Sequence, residues 1–346
     1  MSDGAKSLWC LRIAMSNSVD ANGPIFIIGM NGSGTTMLLN CLDNHPDIYG
    51  FRRETKILPY FIRSSIRYGD LSQDKNFRRL WEAFLGTSFF KYVNNGKKVP
   101  LPENWKDVPR CVASVIDGTF TYFAKKEGKS RWCEKTPMNA QHVALLAKTF
   151  PKAKFIHIIR DGRACAASFH RRWGFTPELT VYRWKHIVRE AQRQGAEVPD
   201  RYFELHYEDL TTDPETWLKS ICNFLQVPYD PCIIKLSHVY KYSGSTDTVI
   251  TKREEYWREY FSADKIDNLD KISGKVIHRL GYKTELPDGD EEPGLLRIKY
   301  WKYTDSIKFG FKVIRNEWKY RKNGGKWDDL SGKFINALRQ RLTSRF

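Results

Sequence analysis

Apolar residues follow two rhythms along the chain. Short unbroken runs, Ile25 to Ile28 and Phe155 to Ile159, have the length of strands buried on both faces. Each leads through a glycine-bearing turn into helical spacing, as in Met37, Leu38, Cys41 and Leu42 after the first run. This alternation over residues 24 to about 160, with a second α/β region ending in "HRLGYK" at 278–283, predicts an α/β fold, a mostly parallel sheet with flanking helices. Residues 1–23 read as a flexible segment, 24–283 as the main domain, and "TELPDGDEEPG" at 284–294 as an acidic linker. Residues 295–346 read as a basic, amphipathic helical extension. Within it Ile307, Phe311, Ile314 and Trp318 form one apolar stripe, and Phe334, Ile335, Leu338 and Leu342 a second. Such stripes either dock on protein or lie in a membrane interface.

Composition narrows the classes. The chain has 346 residues, 41% of them hydrophobic, which is enough for a full core. A formal charge of +17 points to a polyanionic ligand or an anionic surface. No helix-turn-helix, zinc-finger or RNA-binding signature accompanies the charge, so no nucleic-acid partner is expected. Seven scattered cysteines without a C-x-x-C pair, and eight histidines without metal-ligand spacing, predict no structural metal and a reducing compartment. With no apolar run long enough to span a bilayer, the expectation is a cytoplasmic protein, with 295–346 in peripheral contact at the inner membrane surface.

The chemistry begins in "GMNGSGTT", residues 29–36. Its glycines let backbone approach a ligand, and its place at a helix start favours an anion. Against G-x-x-x-x-G-K-[ST] the chain supplies Gly29, Gly34 and Thr36, but Thr35 stands where the lysine should be. That lysine serves β- and γ-phosphates, so the loop suits a donor with a single 5′-phosphate better than a nucleoside triphosphate. A kinase or hydrolase is therefore the weaker enzyme reading, and a non-catalytic binder of acidic polymer or membrane leaves the ordered motifs unexplained.

A second anion site is suggested by "FIHIIRDGRACAASFHRRW", residues 155–173. Arg160 ends a strand, and Ser168 and Arg172 lie four apart on the following helix, so three polar groups could meet one phosphate. Together with "HPDIYGFRRETK", "WCEKTP" and "HYEDLTTDPE", these motifs make residues 24–283 resemble sulfotransferases that use 3′-phosphoadenosine-5′-phosphosulfate (PAPS). The likeness is nearer to the branch with protein-tyrosine sulfotransferases and bacterial relatives than to the small-molecule branch. It implies a P-loop-like sulfotransferase fold.

The resemblance also implies roles. Gly32, Ser33, Gly34, Thr35 and Thr36 would hold the 5′-phosphosulfate, and Arg160, Ser168 and Arg172 the 3′-phosphate. Tyr207 and Ser245 would lie at the nucleotide. Glu54 matches the carboxylate that resembles a catalytic base, with Arg52, Arg53 and Lys56 near it in sequence. Many relatives have arginine where this chain has Gly32, and Lys135 is the candidate to supply the missing cation. Sulfuryl transfer to an acceptor hydroxyl or amine follows, without metal. The acceptor is left open among glycan, lipid, phenol and peptide tyrosine, with a carbohydrate or lipid-linked acceptor favoured.

Overall fold

The computed structural model describes residues 23–235 and 255–322. Five strands, β1 (Ile25–Gly29), β2 (Ile48–Gly50), β3 (Arg131–Lys135), β4 (Lys154–Ile159) and β5 (Tyr202–His206), form a parallel sheet in the order β2-β3-β1-β4-β5. The longer helices are α1 (Thr35–Asp43), α2 (Asp74–Leu85), α3 (Val112–Lys126), α4 (Gly162–Trp173), α5 (Pro177–Gly195), α6 (Pro214–Leu225), α7 (Ala263–Arg279) and α8 (Leu295–Lys322). This is the α/β class that the alternation of runs predicts, and both strands read from it are present with one residue added to each.

The described residues divide into two compact units, residues 23–159 with 190–235, and residues 160–189 with 255–322. The sheet lies in the first. Ile25 and Ile27 of β1 pack with Leu38, Leu39 and Leu42 of α1 and with Leu218 and Ile221 of α6. Phe26, pointing to the opposite face, stacks on Phe155 at 5.4 Å and meets Trp132 edge-on at 5.5 Å. Burial on both faces explains why the strands are unbroken apolar runs rather than alternating ones.

The second unit closes on its own core of Ala164, Ala167, Leu179, Val181, Trp257, Leu269, Ile272, Ile298 and Trp301. A buried guanidinium, Arg163, crosses it between Asp161 at 2.7 Å and Asp270 at 3.1 Å. Burying a charge requires such full pairing.

Residues 284–294, expected as a linker, are tied into this unit. Lys185 donates to Asp290 at 3.0 Å and Glu292 at 2.8 Å, while Glu291 N–H donates to the Lys271 carbonyl at 2.8 Å. The two backbones come so close that a Cβ on Gly274 would stand 1.9 Å from the Leu286 carbonyl oxygen.

The extension begins as expected with a helix, α8, but a different face of it docks. Ile298 and Trp301 enter the core and Asp305 accepts from Thr176 Oγ1 at 2.8 Å, whereas the expected stripe of Ile307, Phe311, Ile314 and Trp318 is exposed. Apolar residues stand on both faces of this helix, Ile298 and Trp301 on one and Ile307, Phe311, Ile314 and Trp318 on the other, so periodicity alone could not rank them. The second stripe, Phe334 to Leu342, lies outside the described residues, as does the expected flexible segment up to residue 22.

Gly274→Ala should destabilise the protein by roughly 1–3 kcal/mol or more, because its neighbour is backbone that cannot turn aside. Urea unfolding checks this, and wild-type stability would show that the two segments are not in contact in solution.

Candidate active site

The phosphate-type loop forms where β1 delivers the chain to α1. Gly34, with φ of 97°, occupies the N-cap of α1. A Cβ there would meet the Tyr207 ring at 2.4 Å, so Tyr207, the first residue after β5, lies directly on the loop. Gly32 also has positive φ, 93°, a conformation that an arginine side chain would strain. The missing arginine is thus matched by a loop shaped for glycine.

Ser33 N–H donates to Met30 O at 3.1 Å, and its hydroxyl is buried with no hydrogen-bond partner among the described residues. Asn31 Oδ1 is likewise unsatisfied. The N–H groups of the first turn of α1 have no intrahelical acceptor. A buried hydroxyl without a partner at a helix start fits a bound phosphate.

Parallel pairing brings the second element alongside. The β1–β3 register sets Lys135 opposite Ile27, two residues before the loop. Lys135 is buried, only 5% exposed, and its Nζ lies 3.1 Å from Glu54 Oε1. Lys56 Nζ lies 3.3 Å from the other oxygen, Oε2. Of the three basic residues near Glu54 in sequence, Lys56 is the one that pairs with its Oε2. Arg52 pairs with Asp43 at 3.3 Å, and Arg53 stacks on Tyr92 at 3.5 Å from the ring centre. Glu54 is partly exposed, so one carboxylate bridges a buried cation and a surface one.

Arg160, Ser168 and Arg172 belong to the second unit. Arg160 is buried, and its carbonyl accepts from Trp184 Nε1 at 3.0 Å. Asp161 caps α4, accepting from Arg163 N–H at 2.8 Å. The helix then sets Ser168, half-buried, one turn before Arg172, exposed. Ser245 lies outside the described residues. The sequence reading gave no role to Glu134, the fully buried carboxylate beside Lys135, although an acid inside the buried run "RWCEK" was a signal.

A model of the sulfotransferase family matches residues 24–231. The chain belongs to the sulfotransferase family. Protein-tyrosine sulfotransferase 1 of Danio rerio is 26% identical over 263 residues, 73% of this chain and 66% of that protein. Protein-tyrosine sulfotransferase of Drosophila melanogaster is 30% identical over 221 residues, 61% of this chain and 39% of that protein. This sulfotransferase-family chain therefore spans just under two thirds of the first relative's length and about two fifths of the second's. Among solved structures, the sulfotransferase domain from the curacin biosynthetic pathway covers 76% of this chain and 98% of its own, with 18% identity and a TM-score of 0.53. The sulfotransferase domain of the Synechococcus PCC 7002 olefin synthase covers 78% and 98%, with 22% identity and a TM-score of 0.50. These likenesses support the shared fold.

The relatives overturn one expectation. A cytoplasmic placement at an inner membrane surface does not stand beside curated relatives that are animal protein-tyrosine sulfotransferases. It rested partly on scattered cysteines, and buried cysteines such as Cys41, Cys133 and Cys222 reflect packing rather than compartment. No described helix is long and apolar enough to cross a membrane, which does not restore the placement.

Gly34→Ala should disturb the loop, since the new methyl meets Tyr207. Binding of 3′,5′-ADP is expected to weaken at least tenfold by calorimetry, and unchanged affinity would remove the loop from the binding site.

Proposed function

We propose that the chain transfers the sulfuryl group of PAPS to a hydroxyl, and that the acceptor is a tyrosine of a polypeptide rather than the carbohydrate or lipid-linked group expected from sequence. The names of the relatives support the tyrosine acceptor. Glu54, held 3.1 Å from buried Lys135 beside a phosphate-type loop, is the observation that carries the reaction.

PAPS supplies an electrophilic sulfur whose bond to a phosphate oxygen breaks as the acceptor oxygen bonds to it. Catalysis of such in-line transfer is mostly positioning and charge stabilisation. Glu54 accepts the proton of the acceptor hydroxyl at a carboxylate oxygen. Once that carboxylate is protonated, Lys135 loses its anionic partner and its N–H groups turn to the negative charge developing on the leaving phosphate oxygen. Lys56, exposed at the other oxygen, orients the carboxylate. Loop residues 32–36, with Tyr207 against them, bind the 5′-phosphate end. Arg160, Ser168 and Arg172 bind the 3′-phosphate.

Four tests bear on this. 3′,5′-ADP should stabilise the fold well beyond ATP, by about 2.7 kcal/mol at a hundredfold excess over its dissociation constant. Equal stabilisation by both, without metal, would contradict the donor assignment. Glu54→Gln should lower turnover by about a hundredfold or more with nucleotide affinity retained. Lys135→Ala should lower turnover as well, since Gly32 offers no other cation, and a fully active Lys135→Ala enzyme would refute the role of that lysine. Labelled PAPS offered to a tyrosine-containing peptide, a glycan mixture and a phenolic lipid should mark the peptide. Labelling of the glycan or lipid alone would reject the tyrosine acceptor.

A further inference from the structure

Behind the Glu54–Lys135 contact lies a second set of bonds. Glu134 is fully buried, and its Oε1 accepts from Thr55 N–H at 3.2 Å, from Thr55 Oγ1 at 2.9 Å, and from the Thr136 hydroxyl. Its Oε2 accepts from Asn139 Nδ2 at 2.9 Å. Thr136 Oγ1 in turn accepts from Lys56 N–H at 3.3 Å. Thr55, Thr136 and Asn139 are all buried.

Side chains alternate along an extended segment, and the two contacts exploit this. On one side the turn offers Glu54 to Lys135, and on the other it offers Thr55 to Glu134. The turn and the strand end, about eighty residues apart in sequence, are thus clasped from both sides. The clasp also holds Lys56, whose φ of 58° is unusual for a side-chain-bearing residue. Burial pushes the Glu134 carboxyl up, and the hydrogen bonds from Thr136 and Thr55 oppose this. A buried carboxylate met only by neutral donors is a costly way to fill space. An apolar side chain would fill it without fixing the turn.

We propose that Glu134 is a positioning residue that sets the distance between Glu54 and Lys135, and so tunes the sulfuryl-transfer step without touching substrate. The inference rests on Glu54 and Lys135 having the roles proposed above. Because the carboxylate accepts from every neighbour, Glu134→Gln turns one acceptor into a donor and sets it against a neighbouring N–H or O–H, such as the Asn139 amide. The turn then shifts, and misplacement of about 1 Å costs up to a hundredfold in rate. The paired change Glu134→Gln with Asn139→Asp restores one donor and one acceptor at that junction with the total charge unchanged.

The experiment measures 3′,5′-ADP release from PAPS with a tyrosine-containing peptide, alongside 3′,5′-ADP affinity, melting temperature, and a crystal structure of the Glu134→Gln enzyme with 3′,5′-ADP. Expected results are a ten- to hundredfold lower kcat with nucleotide affinity within twofold, recovery of most of kcat in the paired variant, and a Glu54–Lys135 separation beyond hydrogen-bond reach in the crystal. Unchanged kcat, an unmoved turn, or a paired variant that regains stability without kcat would overturn the proposal. If Glu134→Gln does not fold, Thr55→Val removes one donor while keeping shape, and is expected to lower kcat in the same manner; full activity would overturn the proposal. Glu54→Gln separates the two levels. Its full activity would refute the catalytic reading itself, whereas its loss beside an active Glu134→Gln enzyme would refute only the positioning role. The crystallographic separation needs no acceptor and decides the matter if the peptide is not labelled.

Discussion

The contact between the Glu54 carboxylate and the buried Lys135 ammonium, 3.1 Å apart, is the interaction on which the account depends. A lysine that is only 5% exposed needs a partner for its ammonium, and removing one member of such a pair leaves an uncompensated buried charge. The sheet supplies the geometry. Its parallel register sets the end of β3 beside the end of β1, so that the strand leading to the loop and the strand carrying Lys135 finish at the same edge. The turn after β2 then brings Glu54 to that lysine, since β2 is the other neighbour of β3.

This arrangement joins two functions that would otherwise compete. In the proposed reaction a resting base paired with a cation is held in one place, yet the pair can part as proton transfer removes its reason to exist. The loop contributes through its backbone. Gly32 and Gly34 have positive φ, and Tyr207 packs where any larger residue at 34 would stand. Side-chain charge is absent from the loop and present on the neighbouring strand. That division favours a nucleotide with one phosphate at its 5′ end carrying the group to be moved.

Local features were legible in the sequence. The runs that became β1 and β4, the loop between Gly29 and Thr36, and the helix behind it follow from apolar spacing and glycine placement within a few residues. Glu54 and Lys135 could each be picked from a motif, but their contact spans a separation of 81 residues that no local pattern encodes. Glu134 escaped notice for a related reason. Thr136 and Asn139 lie close to it in the chain, but Thr55, on the turn after β2, is brought to the same carboxylate only by the fold. Arg52 and Arg53 show the converse, being close to Glu54 in sequence while contacting Asp43 and Tyr92. In α8 the ambiguity was intrinsic, because two apolar faces share one helix and tertiary packing chose between them.

A crystal structure of the protein with 3′,5′-ADP and a tyrosine-containing peptide tests the central claim most directly. The account predicts the tyrosine oxygen within about 3 Å of the Glu54 carboxylate, with Lys135 Nζ turned toward the nucleotide's 5′-phosphate. A complex in which the tyrosine oxygen meets some other base while Glu54 remains locked to Lys135 would contradict it.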